Sequence, residues 1–283
     1  MTDVLATRYP RAARRVGAPE RFLKNLGRQA VFYRDAVRQI PHALRYYATA
    51  VLQLIAEIGM GTGALAIIGG TVVIVGFMTF SAGTLLAIQG FASLGDIGVE
   101  ALTGFFAAFI NVRIAAPVTA GIALAATIGA GATAQLGAMR ISEEIDALEV
   151  MAINSMSYLV STRLIGGVIA IIPLYSVAVL MSFLASRFYT IFINGQSAGV
   201  YDHYFSTFLR PSDLVWSFAQ AILMGLVVMG IHCYHGYNAA GGPAGVGVAV
   251  GRAVRSSLIA VVIVCLLVSL AIYGTSGNLN LAG

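Results

Sequence analysis

The sequence predicts an all-α integral membrane protein, with an N-terminal interfacial amphipathic helix followed by about five transmembrane helices. Three observations carry this expectation. The 283 residues are 58% hydrophobic and only 10% charged, whereas roughly a quarter of a soluble domain is charged. Charge-free stretches run over 58–95, 114–139, 164–186, 214–251 and 256–283, each long enough to supply the roughly 20 helical residues that cross a hydrocarbon core. Ten of the 17 basic residues precede residue 50, a sorting of charge that membrane topology imposes.

The elements follow in chain order. Residues 1–18 read as a disordered basic N-terminus, 19–57 as an interfacial helix with its lead-in, and 58–283 as the transmembrane domain. Over 19–40, Phe22, Leu26, Ala30, Tyr33, Val37 and Ile40 share one helical face, and Arg21, Lys24, Arg28, Arg34 and Arg38 take the other. Pro41 ends or kinks this helix. Such a helix lies in the headgroup layer or packs on a soluble partner. No signal peptide is expected, because the first strongly apolar run begins only after about sixty mostly polar residues.

The expected spans are roughly 62–92, 104–138, 163–188, 213–236 and 256–276. These runs are apolar on every face, unlike the alternating strands of a barrel. The second span carries Gly121, Ala125, Gly129, Thr133 and Gly137, each four apart, a ladder that lets two helix backbones approach closely in lipid. Pro117 can kink the same helix.

Between the second and third spans, Ser142-Glu-Glu-Ile-Asp-Ala-Leu-Glu-Val-Met reads as a short helix capped by Ser142. Ile141, Ile145, Leu148 and Ala152 line one face, and Glu143, Asp146 and Glu149 lie off it. A docking element and a solvated loop helix both fit this pattern. The Gly-rich stretch 236–251 reads as a tight elbow between the last two spans.

Orientation follows from the basic residues. Five spans with the N-terminus in the cytoplasm place Arg140, Arg163, Arg252 and Arg255 there with the N-terminal ten, and put the C-terminus outside. Arg187 and Arg210 then fall outside, and Arg113 falls within a span. An arginine there is either a functional group or one that snorkels to the interface. The net charge of +5 reflects this asymmetry and not nucleic-acid binding.

Several chemistries lack their parts. The one lysine, Lys24, sits in no Gly-x-x-x-x-Gly-Lys-Ser/Thr context, so the chain has no P-loop of its own. No His, Cys and Asp cluster has metal-ligand spacing, and no paired carboxylates lie within a span to relay protons. Cys233 and Cys265 read as small hydrophobes. His232 and His235 read as helix-end residues reaching the headgroups.

The run Arg113-Ile-Ala-Ala-Pro-Val-Thr-Ala-Gly, then Gly129, Thr133-Ala-Gln-Leu-Gly-Ala-Met-Arg140 and Ile141-Ser-Glu-Glu-Ile-Asp-Ala-Leu-Glu-Val-Met-Ala152, resembles the MlaE/YrbE permeases, membrane subunits of MCE-type ABC transporters. Gly236-Tyr-Asn-Ala-Ala-Gly-Gly-Pro-Ala-Gly-Val-Gly is similar to that family's last loop. The resemblance covers roughly residues 40–276. The basic N-terminus and loop wording most resemble actinobacterial, mycobacterial-like YrbE proteins of the B type.

The resemblance implies an MlaE-like permease fold in the inner membrane. It implies a second YrbE-type permease, a cytosolic ABC ATPase dimer that holds the ATP and Mg, and MCE proteins on the outer side. The chain itself would hold no cofactor and would not be an enzyme. The cargo would be a hydrophobic lipid of fatty acid, mycolic acid or sterol type, with import as the adopted direction. Segment 142–152 would be the coupling helix, acting through Glu143, Glu144, Ile145, Asp146, Leu148 and Glu149. Leu85, Ile88, Phe91 and Arg113 would line a lipid pocket, with Gln89-Gly90-Phe91 matching the family's Gln-Gly-aromatic. The pattern departs at Ile114, where the family has Glu, and at Ala126-Thr127-Ile128-Gly129, where it has Gly-Arg-Ala-Gly. Loss of these charges suggests one half of a heterodimer. The alternative is a secondary lipid or solute transporter without an ATPase.

Overall fold

A computed structural model describes residues 18–60 and 64–273. Residues 1–17, and the disorder expected there, lie outside the described residues, as do the side chains of Phe22 and Leu26. Three helices lead in: α1 (Ala18–Arg38), α2 (Ile40–Tyr46) and α3 (Ala48–Met60). Then come α4 (Ala64–Gly95), α5 (Glu100–Ile141), α6 (Glu144–Val150), α7 (Met156–Ile193), α8 (Ala198–Phe208), α9 (Pro211–Tyr237) and α10 (Gly242–Tyr273). Among the described residues there is no strand. Five helices, α4, α5, α7, α9 and α10, are long and apolar enough to cross a membrane.

Helices α5, α7 and α9 form the centre of the bundle. Helix α4 packs along α7 on one flank, and α10 lies against α9 and α5 on the other. On α4 the packed face is Val75, Thr79, Gly83, Ala87 and Gly90, while Val73, Phe77, Leu85 and Ile88 point outward. Outward Ile259, Val262, Leu266 and Leu270 do the same on α10. Apolar faces of this extent suit a hydrocarbon solvent.

The ladder on α5 is an intramolecular seam. Gly121, Ala125, Gly129, Thr133 and Gly137 are all buried. Gly121 faces Met224 of α9 and Val261 of α10, and Gly137 faces Val246 of α10. The small residues let three helix axes converge within one chain.

Several boundaries differ from expectation. The first helix does break ahead of Pro41, ending at Arg38, and Pro41 sits in the first turn of α2, where its missing N–H costs nothing. The stretch 236–251 is mostly helix. The elbow is confined to the few residues between α9 and α10, where Gly241 has φ +94° and Gly242 φ +72°, and Pro243 starts the next helix. Arg163 does not flank a loop. It lies inside α7, 8% exposed, and donates to Leu159 O at 3.1 Å and Gln135 Oε1 at 3.5 Å. Helix α8 was not expected at all. It covers the start of α5, where Gly104 sits against the Tyr201 carbonyl. Asp202 of α8 pairs with Arg187 at 2.9 Å, and that guanidinium holds its carboxyl below the usual range.

The lead-in helix α1 contacts the bundle beside its expected apolar stripe, through Phe32 and Ala36, which that stripe did not include. Phe32 and Ala36 are buried, while Ala30 and Val37 stay exposed. Phe32 meets the rings of Tyr234 and Tyr237 at 5.3 and 5.8 Å. Ser161 Oγ donates to Ala36 O at 2.8 Å. Burial among these rings pushes the Tyr33 hydroxyl up to about 12.

Candidate functional site

Two regions contain the residues singled out by the sequence. The first is α6, at the end of the bundle shared with α1. Ser142 is not its N-cap. Ser142 ends α5, with its one hydroxyl proton shared between Ala138 O at 3.0 Å and Glu144 Oε1 at 2.8 Å. The cap position is Glu143, held at φ +61°, and Ala152 beyond the other end has φ +58°. Two non-glycine residues in the left-handed region bracket one short helix, a strain that persists only where packing imposes it.

That packing is visible. Ile145 is fully buried, and Leu148 packs on the core. Arg140 Nη1 reaches Asp146 Oδ1 at 2.6 Å. Glu149 Oε1 accepts from Ser155 Oγ at 2.7 Å and lies 3.3 Å from Tyr237 OH. The outer face presents Glu143 and Glu144 beside Val150, 88% exposed, and Met151, 61% exposed. All four acids are exposed; Asp146 and Glu149 also reach groups outside the helix, and Glu144 reaches only its neighbour Ser142. The exposed Val150 and Met151 were missed because the stripe 141, 145, 148, 152 already accounted for the apolar residues.

The second region surrounds Arg113. Residues Asn111–Ala115 form a widened π-turn in α5 just before Pro117. Proline lacks the N–H that would bond Val112 O in the π register. Ser217 Oγ of α9 donates to that carbonyl instead, and Tyr175 OH of α7 donates to Ser217 Oγ at 2.8 Å. Asn111 Nδ2 donates to Ser186 Oγ at 3.0 Å, which donates onward to Gly83 O of α4 at 2.9 Å. Ser217→Ala should therefore leave the Val112 carbonyl unsatisfied and lower stability by about 2 kcal/mol, checked by thermal unfolding in detergent, while Ser217→Thr should recover most of it.

Arg113 Nη2 pairs with Asp213 Oδ2 at 2.9 Å, with side chains 12% and 16% exposed. Its guanidinium also stacks 3.8 Å over the Phe109 ring. Asp213 lies in the first turn of α9, where the helix dipole favours an acid. This partner was missed, although an acid two residues after Pro211 was a readable sign of a capped helix start. Leu85, 65% exposed, and Ile88, 39% exposed, face outward from α4, and Phe91 is half-buried. Phe106 of α5 rests against Gly90, so this part of α4 adjoins the start of α5. Ile114 is half exposed.

His232 does not reach the headgroups. It is fully buried, with Nδ1 2.7 Å from Thr133 Oγ1 and its ring against Gly129. The ladder residue Gly129 is what makes room for it. Among the described residues, no group of three or more His, Cys, Asp or Glu side chains could hold a metal ion. Cys233 and Cys265 are buried and free.

Comparison with known proteins gives the family. The family model described as permease MlaE matches residues 60–271. A probable ABC transporter permease protein of Rickettsia bellii is 26% identical over 243 residues, covering 86% of this chain and 90% of its own length. The intermembrane phospholipid transport system permease protein MlaE of Haemophilus influenzae is 24% identical, over 55% of this chain and 60% of its own. The chloroplastic protein TRIGALACTOSYLDIACYLGLYCEROL 1 of Arabidopsis thaliana is 26% identical, over 69% and 56%. The match spans all five membrane-crossing helices, and the chain belongs to the MlaE permease family, as a multi-pass membrane subunit of an ABC transporter and not itself an enzyme.

Proposed function

We propose that the chain is the lipid-conducting permease of an ATP-driven transporter. The observation that carries this reading is α6, a short helix clamped to the bundle whose outer face combines Glu143 and Glu144 with exposed Val150 and Met151. Such a face suits docking on a soluble subunit, and the phospholipid-transport relative supports lipid as cargo. The partner is a cytosolic ATPase pair that binds the ATP and Mg. A second, non-identical permease completes the membrane core, and MCE proteins stand on the outer side. The host membrane is the inner membrane.

The distribution of basic residues supports an orientation with the α6 end and the N-terminus in the cytoplasm and the C-terminus outside. The outward surface of Leu85 and Ile88, with Phe91 and Ile114, lines the path for acyl chains. Arg113 stands at its edge, set by Asp213. The cargo is of fatty acid, mycolic acid or sterol type, and the direction is import. The ATPase drives transport by binding one permease conformation better than the other.

The test is co-purification. The wild-type permease should retain the ATPase. Glu143→Lys with Glu144→Lys should lower that retention at least fivefold while the unfolding temperature holds. Unchanged retention would sink the docking reading, and a wild-type chain that moves lipid with no ATPase bound would favour a secondary transporter.

A further inference from the structure

Helix α6 is tied to the bundle in three ways, and they are not equivalent. Ile145 is buried in the core, an apolar contact without direction. Arg140 and Asp146 are six residues apart, so their pair joins α6 only to the end of the preceding helix. The third tie is directional and remote in the chain. Glu149, Ser155 and Tyr237 close a triangle: Ser155 Oγ donates to Glu149 Oε1 at 2.7 Å, and the one Tyr237 hydroxyl proton goes either to Ser155 Oγ at 2.8 Å or to Glu149 Oε1 at 3.3 Å. Ser155 is 4% exposed, so the contacts it makes are partly shielded from water, while the Glu149 carboxylate stays exposed.

Tyr237 is the last residue of α9. Its ring packs 5.8 Å from Phe32 of α1. Its neighbour Gly236 sits against Thr133 O and Leu136 of α5, and one turn earlier His232 meets Thr133 Oγ1 at 2.7 Å. The end of α9 is thus joined to α5 by close packing and a buried hydrogen bond. A displacement of α6 that reaches Tyr237 must move α9 and α5 with it, because packed helices shift as units.

The geometry points to the Tyr237 hydroxyl as the positioning group that carries motion of α6 into the membrane bundle, through its contacts with Glu149 and Ser155. This inference rests on the reading that α6 docks on an ATPase. The hydroxyl belongs to α9 and is not among the exposed α6-segment residues Glu143, Glu144, Val150 and Met151 of the docking face. It determines whether a docked α6 moves alone or moves the bundle.

The experiment uses the whole transporter complex in detergent with a cysteine at half-exposed Ile114, the native Cys233 and Cys265 being buried. The rate of thiol labelling at Ile114→Cys is read with and without a non-hydrolysable ATP analogue. The nucleotide should change that rate at least fivefold in the otherwise unaltered complex and less than twofold in Tyr237→Phe. Tyr237→Phe keeps the ring on Phe32, and its ATPase retention and unfolding temperature should stay unchanged. Glu149→Gln retains an accepting oxygen and should respond like the parent, whereas Glu149→Ala should respond like Tyr237→Phe. A full nucleotide response in Tyr237→Phe overturns the inference, as does a parent complex with no response. Loss of ATPase retention and thermal stability in Tyr237→Phe would also overturn it, in favour of a purely structural hydroxyl. Absence of ATPase from the parent complex removes the docking reading and this inference together.

Discussion

Arg113→Ala should destabilise the protein by about 3 kcal/mol, because it strands the Asp213 carboxylate in a site only 16% exposed. Asp213→Asn should cost a similar amount, stranding the guanidinium. Arg113→Lys should cost about 1 kcal/mol: the charge survives, while the stack on Phe109 weakens. Removing both partners should cost less than the sum of the single changes, since neither charge is then left alone. Thermal unfolding of the four variants in detergent measures this, with bound lipid quantified on the same samples. A lipid headgroup as the main partner of Arg113 predicts the reverse pattern. Arg113→Ala would then lose lipid at unchanged stability, and Asp213→Asn would keep it. The ion pair makes the stability outcome the expected one, and lipid loss should follow unfolding and not precede it.

The bundle was legible because lipid imposes a simple rule. Charge-free runs of sufficient length must be helices, and the five spans appeared where expected, with ends shifted by charged residues that the fold absorbs. Arg163 is the instructive case. Its charge marked the expected start of the third span, but α7 begins at Met156 and holds Arg163 inside, donating to Leu159 O and Gln135 Oε1. Helix α8 was not legible because eleven residues of mixed polarity carry no membrane signal, and its packing depends on Gly104, nearly a hundred residues away. The site was half legible. The α6 acids could be read from spacing, but which of them reach groups outside the helix depends on Arg140, Ser155 and Tyr237. Arg113 stood out in an apolar run, while its partner Asp213 lies 100 residues on. Pairings between helices remote in sequence have no local signature, and the contacts that build the two regions, Arg113 with Asp213, Ser217 with Val112 and Tyr237 with Glu149, are of that kind.

The glycines provide the sharpest contrast in expected stability. A Cβ on Gly83 would lie 2.5 Å from Ser182 O and 2.9 Å from Ser182 Cα, which are backbone atoms of α7. No rotamer change relieves such a contact, so α4 and α7 would have to separate along their shared face. Gly83 O also accepts from Ser186 Oγ, the middle member of the chain leading to Asn111. Gly83→Ala should therefore cost about 3 kcal/mol, at the upper end of overpacking effects, and should weaken the polar layer next to Arg113 as well. Gly131 on α5 and Gly251 on α10 have nothing within 4 Å of the same position. Alanine there should be neutral or stabilise the isolated chain by about 0.5–1 kcal/mol through reduced backbone freedom in the unfolded state. Unfolding temperature and folded yield in detergent check all three variants, and a stable Gly83→Ala protein would refute the close α4–α7 approach. In the assembled transporter the comparison changes meaning. If Gly131→Ala or Gly251→Ala leaves the chain stable but lowers recovery of the complex, the open glycine is where a second subunit's helix comes close, since nothing among the described residues excludes a methyl group from that space.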